Sequence, residues 1–202
     1  ETFALIGHST GCQNSIHFIK HGDNEIVKRT KAIALQAPVS DREHAMLEPN
    51  YEENVQYARS LRDDGKGEEM MPRSAFWAPI TASRFLSLQD LGGSDDFFSS
   101  DLDDDELKQR LSHIGKWGQA NNARLLAAFS GQDEYVPSSV NKERLLQRLC
   151  GAMNGGSNDG SNIASPLMIE KGNHNLSCGD DSAVFVAAVA KIIDDVFPPQ
   201  VS

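Results

Sequence analysis

Apolar residues along this chain fall into two rhythms. Short continuous runs at residues 3–6 (FALI), 31–35 (KAIAL), 124–129 (RLLAAF) and 166–169 (PLMI) are bounded by glycine, proline or polar residues. Runs of that length, apolar from the first or second residue on, read as strands buried on both faces. Other stretches carry apolar side chains three or four apart. Residues 10–21 do so through Cys12, Ile16 and Ile19 before stopping at Gly22, and residues 140–150 and 182–197 follow the same spacing. These read as helices. Strands alternating with helices predict an α/β fold, a mostly parallel sheet flanked by helices.

The stretch from 40 to 117 is too long for one crossover helix. Helical patterns near 52–61 and 81–91 are broken by Asp64-Gly65-Lys66-Gly67 and by Gly92-Gly93. An insertion of this size between two sheet strands reads as a helical cap within a single domain spanning 1–202. Residues 151–162 (GAMNGGSNDGSN) read as a mobile surface loop.

The richest chemistry lies directly after the first strand, at Gly7-His8-Ser9-Thr10-Gly11. A serine hydroxyl is a weak nucleophile and must stand clear of the backbone on a tight turn, within reach of a base. Glycines flanking such a turn let strand and helix approach closely, and the Thr10 backbone N–H at the helix start would point at a developing oxyanion. The third strand runs into Ser130-Gly131-Gln132-Asp133 and the fourth into Gly172-Asn173-His174. A carboxylate and an imidazole therefore follow strand ends in the order Ser, acid, His. Ser9, Asp133 and His174 are the candidate nucleophile, acid and base. Glu134 competes with Asp133 and is read as facing solvent or the following turn; the alternative role for Asp133 is a helix cap near Ser138 and Ser139.

Other candidates carry less. His8, in the variable slot of the turn, is read as packed beneath the site. His17 and His21 stand four apart on a helix but lack a third ligand, so no metal is expected. Asp101, Asp103 and Asp105 begin like a calcium loop, yet Glu106 replaces its glycine and Ser112 its closing glutamate. The acidic run is better read as a helix start capped by Ser99, Ser100 or Asp101.

A net charge of −10 with no basic patch argues against nucleic acid and anionic membrane as partners. No run of about 18 apolar residues exists to span a membrane. Cys12, Cys150 and Cys178 are far apart without a CxxC pair. They read as reduced thiols of a cytoplasmic protein.

The segments GHSTGCQ, LQAPVSDRE, FFSSDLDDDEL, SGQDEYVP and GNHNLS together resemble the fungal α/β-hydrolase family long labelled a domain of unknown function (UPF0613 type). The likeness runs from Thr2 to about Phe197. That family includes an esterase of fusarinine-type siderophores. The resemblance implies the α/β-hydrolase fold and a serine hydrolase that cleaves a carboxylic ester through an acyl-enzyme, without cofactor, using Ser9, Asp133 and His174. It points to a small-molecule ester of the hydroxamate siderophore class. An acyltransferase would use the same triad, whereas a non-catalytic binding module would have little need of His174. Members of the fold place several strands before the elbow, and one early loop supplies a second oxyanion donor. With its serine at position nine, the chain reads as a C-terminal part lacking those strands.

Overall fold

The computed structural model describes residues 1–177 and 179–197. The reading of Cys178 as a reduced thiol lies outside the described residues. The chain divides into two compact units, Glu1–Val39 with Ser100–Ser202, and Ser40–Ser99.

The first unit is built on four parallel strands, β1 (Phe3–His8), β2 (Thr30–Gln36), β3 (Arg124–Ser130) and β4 (Ala164–Ile169), which lie side by side in chain order. Each parallel neighbour must be reached by a crossover, and crossovers of one hand that always step the same way land on the same face. The helices α1 (Thr10–His21), α7 (His113–Asn121) and α8 (Lys142–Asn154) accordingly share a layer, α7 packing on both the others. That layer covers the face bearing the fully buried Ile33 and Leu35. The last helix, α9 (Asp181–Val196), takes the opposite face, where Val189 and Ile192 pack on Ala32, Ala34 and Leu126. Pro166, which has no N–H to give, sits in β4 opposite Ala127, on a strand paired along one side only among the described residues.

The outer strands depart from the expected burial on both faces: Ser165 and Pro166 of β4 are exposed, and among the described residues β1 pairs with β2 alone, with Ile6 61% exposed. Ala4 and Ile6 lie in register with Ala32 and Ala34, but α9 packs on β2, β3 and β4. An apolar run alone does not distinguish an edge strand from a central one. The short helix α2 (Asn24–Arg29), capped by the Asp23 side chain, carries too little apolar spacing to be read from sequence.

The acidic run opens α6 (Asp104–Leu111), and its cap is Asp103 rather than Ser99, Ser100 or Asp101. The Asp103 carboxylate accepts from the Glu106 N–H at 2.8 Å while the Glu106 carboxylate accepts from the Asp103 N–H at 2.9 Å. Only this aspartate has a glutamate three residues on to close the reciprocal box, a device that contributes about 1 kcal/mol. The loop expected at 151–162 begins late, because α8 continues to Asn154. Hydrogen bonds hold the segment beyond that helix: Asn154 brackets Ala164 on both its N–H and C=O, and the Asn158 N–H donates to Gln119.

The second unit holds α3 (Asp41–Ala45), α4 (Tyr51–Asp63) and α5 (Ala82–Gln89). Val55, Ala58 and Leu61 of α4 share a cluster with Ala82, Phe85, Leu86 and Leu88 of α5, and with Met71 and Ile80. Beside this core the guanidinium of Arg42 donates to Asp96 at 2.7 Å, both side chains being 3% exposed or less. Ser99 donates to the other oxygen of Asp96 and pairs with Ser40 at 2.6 Å. Arg59 makes a two-pronged contact with Asp90 at 2.5 and 3.0 Å.

Candidate active site

Ser9 stands between β1 and α1 with φ 54 and ψ −127, a conformation that L-residues seldom adopt. Such strain costs of the order of 1–3 kcal/mol and persists only where the surroundings over-determine it. Here the Ser9 N–H donates to the Gln36 carbonyl at 3.1 Å, and the Ser9 carbonyl accepts from the Cys12 N–H at 2.8 Å. The two glycines contribute unequally. A side chain at Gly7 would lie 2.5 Å from the Gly11 carbonyl oxygen and 2.8 Å from the Ser15 hydroxyl, so the close packing of α1 on β1 requires glycine there. At Gly11 a Cβ would meet nothing within 4 Å.

The loop after β3 carries Asp133 and the loop after β4 carries His174. The two are bonded together: the Gly131 N–H donates to the Ile169 carbonyl and the Gln132 N–H to the Gly172 carbonyl, each at 2.9 Å. A Cβ at Gly131 would sit 2.3 Å from the Glu170 carbonyl oxygen, so the loops close only over a glycine. From below, the Lys142 ammonium of α8 donates to the Gly131 and Asp133 carbonyls at 3.0 and 2.9 Å.

Ser9, Asp133 and His174 come together at the C-terminal ends of β1, β3 and β4. His174 Nδ1 lies 3.0 Å from both Asp133 carboxylate oxygens, and Nε2 lies 3.0 Å from Ser9 Oγ. Asp133 and His174 are 2% and 4% exposed. The tautomer with its proton on Nδ1 suits the carboxylate, which accepts, and turns the Nε2 lone pair toward the serine hydroxyl. The Tyr135 N–H gives Asp133 a further donor at 3.0 Å. This arrangement can draw a proton from Ser9 and hold the resulting imidazolium beside a buried carboxylate. Thr10 is the first residue of α1, which places its amide at the positive end of the helix.

Neighbours of the site are less readable in the sequence. His8 is exposed, not packed beneath: Nδ1 bonds to Gln36 Oε1, and the ring stands 4.9 Å from that of His174. Glu134 is exposed, as expected, yet its carboxylate also accepts from the His174 N–H at 2.9 Å. The Tyr135 ring lies 4.2 Å from the imidazole. Gln36 escapes sequence reasoning altogether; its only signal there is a polar residue closing an otherwise apolar strand. No group of three metal-ligating side chains occurs among the described residues, although the His17 and His21 rings approach to 4.7 Å.

Residues 1–197 match the model of a family described as a protein of unknown function (DUF1749). A UPF0613 protein of Schizosaccharomyces pombe is 34% identical over 156 residues, covering 71% of this chain and 48% of the relative. The fusarinine C esterase of Aspergillus fumigatus is 32% identical over 184 residues, covering 71% and 52% respectively. The chain thus spans about half the length of these curated relatives. Among solved structures, the siderophore hydrolase EstB of Aspergillus fumigatus superposes with a TM-score of 0.70 at 26% identity, over 100% of this chain and 68% of that one. An α/β-hydrolase fold protein of unknown function superposes with a TM-score of 0.57 at 15% identity, over 96% and 63%. The parallel sheet flanked by helices is that of the α/β-hydrolases.

Proposed function

The chain belongs to the DUF1749 family, and from that membership we propose that it is the part of a carboxylic-ester hydrolase that carries Ser9 as nucleophile, His174 as base and Asp133 as the acid that orients it. The observation that carries the reading is the 3.0 Å approach of His174 Nε2 to Ser9 Oγ while Nδ1 is occupied by Asp133. Ser9 Oγ attacks the ester carbonyl as its proton passes to Nε2, and Asp133 stabilises the imidazolium. The Thr10 N–H faces the oxyanion. As the C–O bond breaks, the imidazolium returns the proton to the departing alcohol, leaving an acyl-enzyme. Water repeats the cycle on Ser9, releasing the acid.

For the substrate we propose an ester of the hydroxamate siderophore class, on the likeness to the fusarinine C esterase and to the siderophore hydrolase. A screen of short-chain esters and fusarinine-type cyclic esters, with Ser9→Ala as control, tests both levels. Turnover of simple esters without the cyclic ones would overturn the substrate class. No turnover by a protein whose Ser9 also ignores a fluorophosphonate would overturn the hydrolase.

The residues between β2 and β3, read from sequence as a cap over 40–117, are proposed to govern substrate choice. Chimeras that exchange this segment with a relative's should carry the ester preference with them. Preference that stays with the sheet would refute the role.

A cytoplasmic location is proposed on the thiols. Cys12 and Cys150 are buried, the Cys12 thiol donating to the Gly7 and Gln36 carbonyls, and burial pushes the Cys150 thiol up to about 12. Recovery of the native protein in a secretory fraction would overturn it. Among the described residues no helix is long and apolar enough to cross a membrane.

A further inference from the structure

We propose that Gln36 is a positioning residue that sets the distance between Ser9 and His174, an inference that rests on reading those two as nucleophile and base. Gln36 is the last residue of β2 and only 6% exposed. It engages both members of the pair. Its backbone carbonyl accepts from the Ser9 N–H at 3.1 Å, and its side-chain Nε2 donates to the His174 carbonyl at 3.0 Å. One residue on a central strand thus grips the strained serine through its main chain and the histidine loop through its side chain.

The orientation of the amide follows from chemistry. A backbone carbonyl has no proton, so the group 3.0 Å from the His174 oxygen is the NH₂, and Oε1 must face the other way. Oε1 meets His8 Nδ1, which therefore carries a proton and donates. His8 in turn sits opposite Gln36 in the β1–β2 register. The amide is held at both ends. Glu134 grips the same residue from its other side, accepting from the His174 N–H, but its side chain is exposed and water competes for it. The buried amide is the firmer of the two holds.

A residue that only satisfied a buried strand end would affect stability and leave the chemistry of the remaining folded protein alone. A positioning residue affects the chemical step. Gln36→Met keeps length and volume but loses both side-chain hydrogen bonds. It should lower kcat on a simple ester about ten- to a hundredfold, as small misplacements of reacting groups do. KM should stay within about twofold, and fluorophosphonate labelling of Ser9 should slow by the factor seen in kcat. The downfield proton resonance of His174 Nδ1–H, which needs no turnover to be seen, should move or broaden. His8→Phe keeps a ring but frees one end of the amide; it should give a smaller effect in the same direction, and the double variant should match Gln36→Met alone. If Gln36→Met fails to fold, His8→Phe carries the test through the same resonance.

A folded Gln36→Met with wild-type labelling rate and an unmoved resonance would overturn the role of Gln36 and leave the catalytic reading standing. A Ser9→Ala protein with full ester turnover would overturn the catalytic reading instead, while the resonance would still decide whether Gln36 holds His174. An unmoved resonance in His8→Phe, where that variant carries the test, would overturn the proposal.

Discussion

Ser9→Ala is expected to lower ester turnover about a million-fold, His174→Ala by about as much, and the double variant by no more than either. The two groups share one proton transfer. Without the hydroxyl no acyl-enzyme forms, and without Nε2 the hydroxyl remains a weak nucleophile. Once one is gone, the other has nothing left to contribute. Asp133→Ala should cost less, about ten-thousandfold, because an imidazole without its carboxylate still accepts a proton, though less often in the right tautomer. Turnover of a chromogenic ester, normalised to Ser9 labelled in the parent protein, measures all four. Wild-type-like activity in Ser9→Ala would refute the assignment, and strictly multiplicative losses would show that the two residues do not act as a unit.

The largest expected loss of stability lies elsewhere, in the Ser40–Ser99 unit. Asp96→Ala removes the partner of an Arg42 side chain that is only 3% exposed, and it takes an acceptor from Ser99 as well. Removing one member of a buried pair takes the opposite charge from beside the other, at a cost of about 3–5 kcal/mol. Replacing both charges should behave differently. Arg42→Met with Asp96→Leu fills similar space without charge and should recover most of the loss, since buried ion pairs themselves contribute little net stability. Urea titration of the two variants beside the parent separates these outcomes. A loss below about 1 kcal/mol for Asp96→Ala would mean that water reaches Arg42 more readily than its burial implies.

This pair also accounts for sequence signals that the chemistry left unused. Ser40 caps α3 by accepting from the Glu43 N–H at 3.0 Å, and Arg42 sits within the same turn, against Asp96. The SDRE segment that helps to mark the family resemblance is thus built around a cap and a buried ion pair.

Local features were legible where the signal itself was local. Gly7 and Gly22 bracket α1, and the bounds 10–21 read from the sequence are those found. The serine, the aspartate and the histidine each follow an apolar strand, so their order and placement past the strand ends could be read one at a time. Two things resisted because their causes are not local. The cap of α6 had to be chosen among several acidic and hydroxyl residues, and only the reciprocal bond with Glu106 distinguishes Asp103. Gln36 has no neighbour in sequence that announces His174.

That last contact joins residues 138 positions apart, and the one between Ser9 and His174 spans 165, whereas Asp133 and His174 are separated by 41. For a flexible chain, closing a loop four times as long is two doublings, an additional entropic cost of about 1.2 kcal/mol. Chain statistics therefore favour the carboxylate–imidazole pair over the serine contact in a partly folded molecule. Such a molecule holds a base already oriented by its acid but has no nucleophile beside it. The hydroxyl gains its reactivity only when the turn after β1 meets the loop after β4, so a fluorophosphonate added during refolding counts the molecules in which those two have joined.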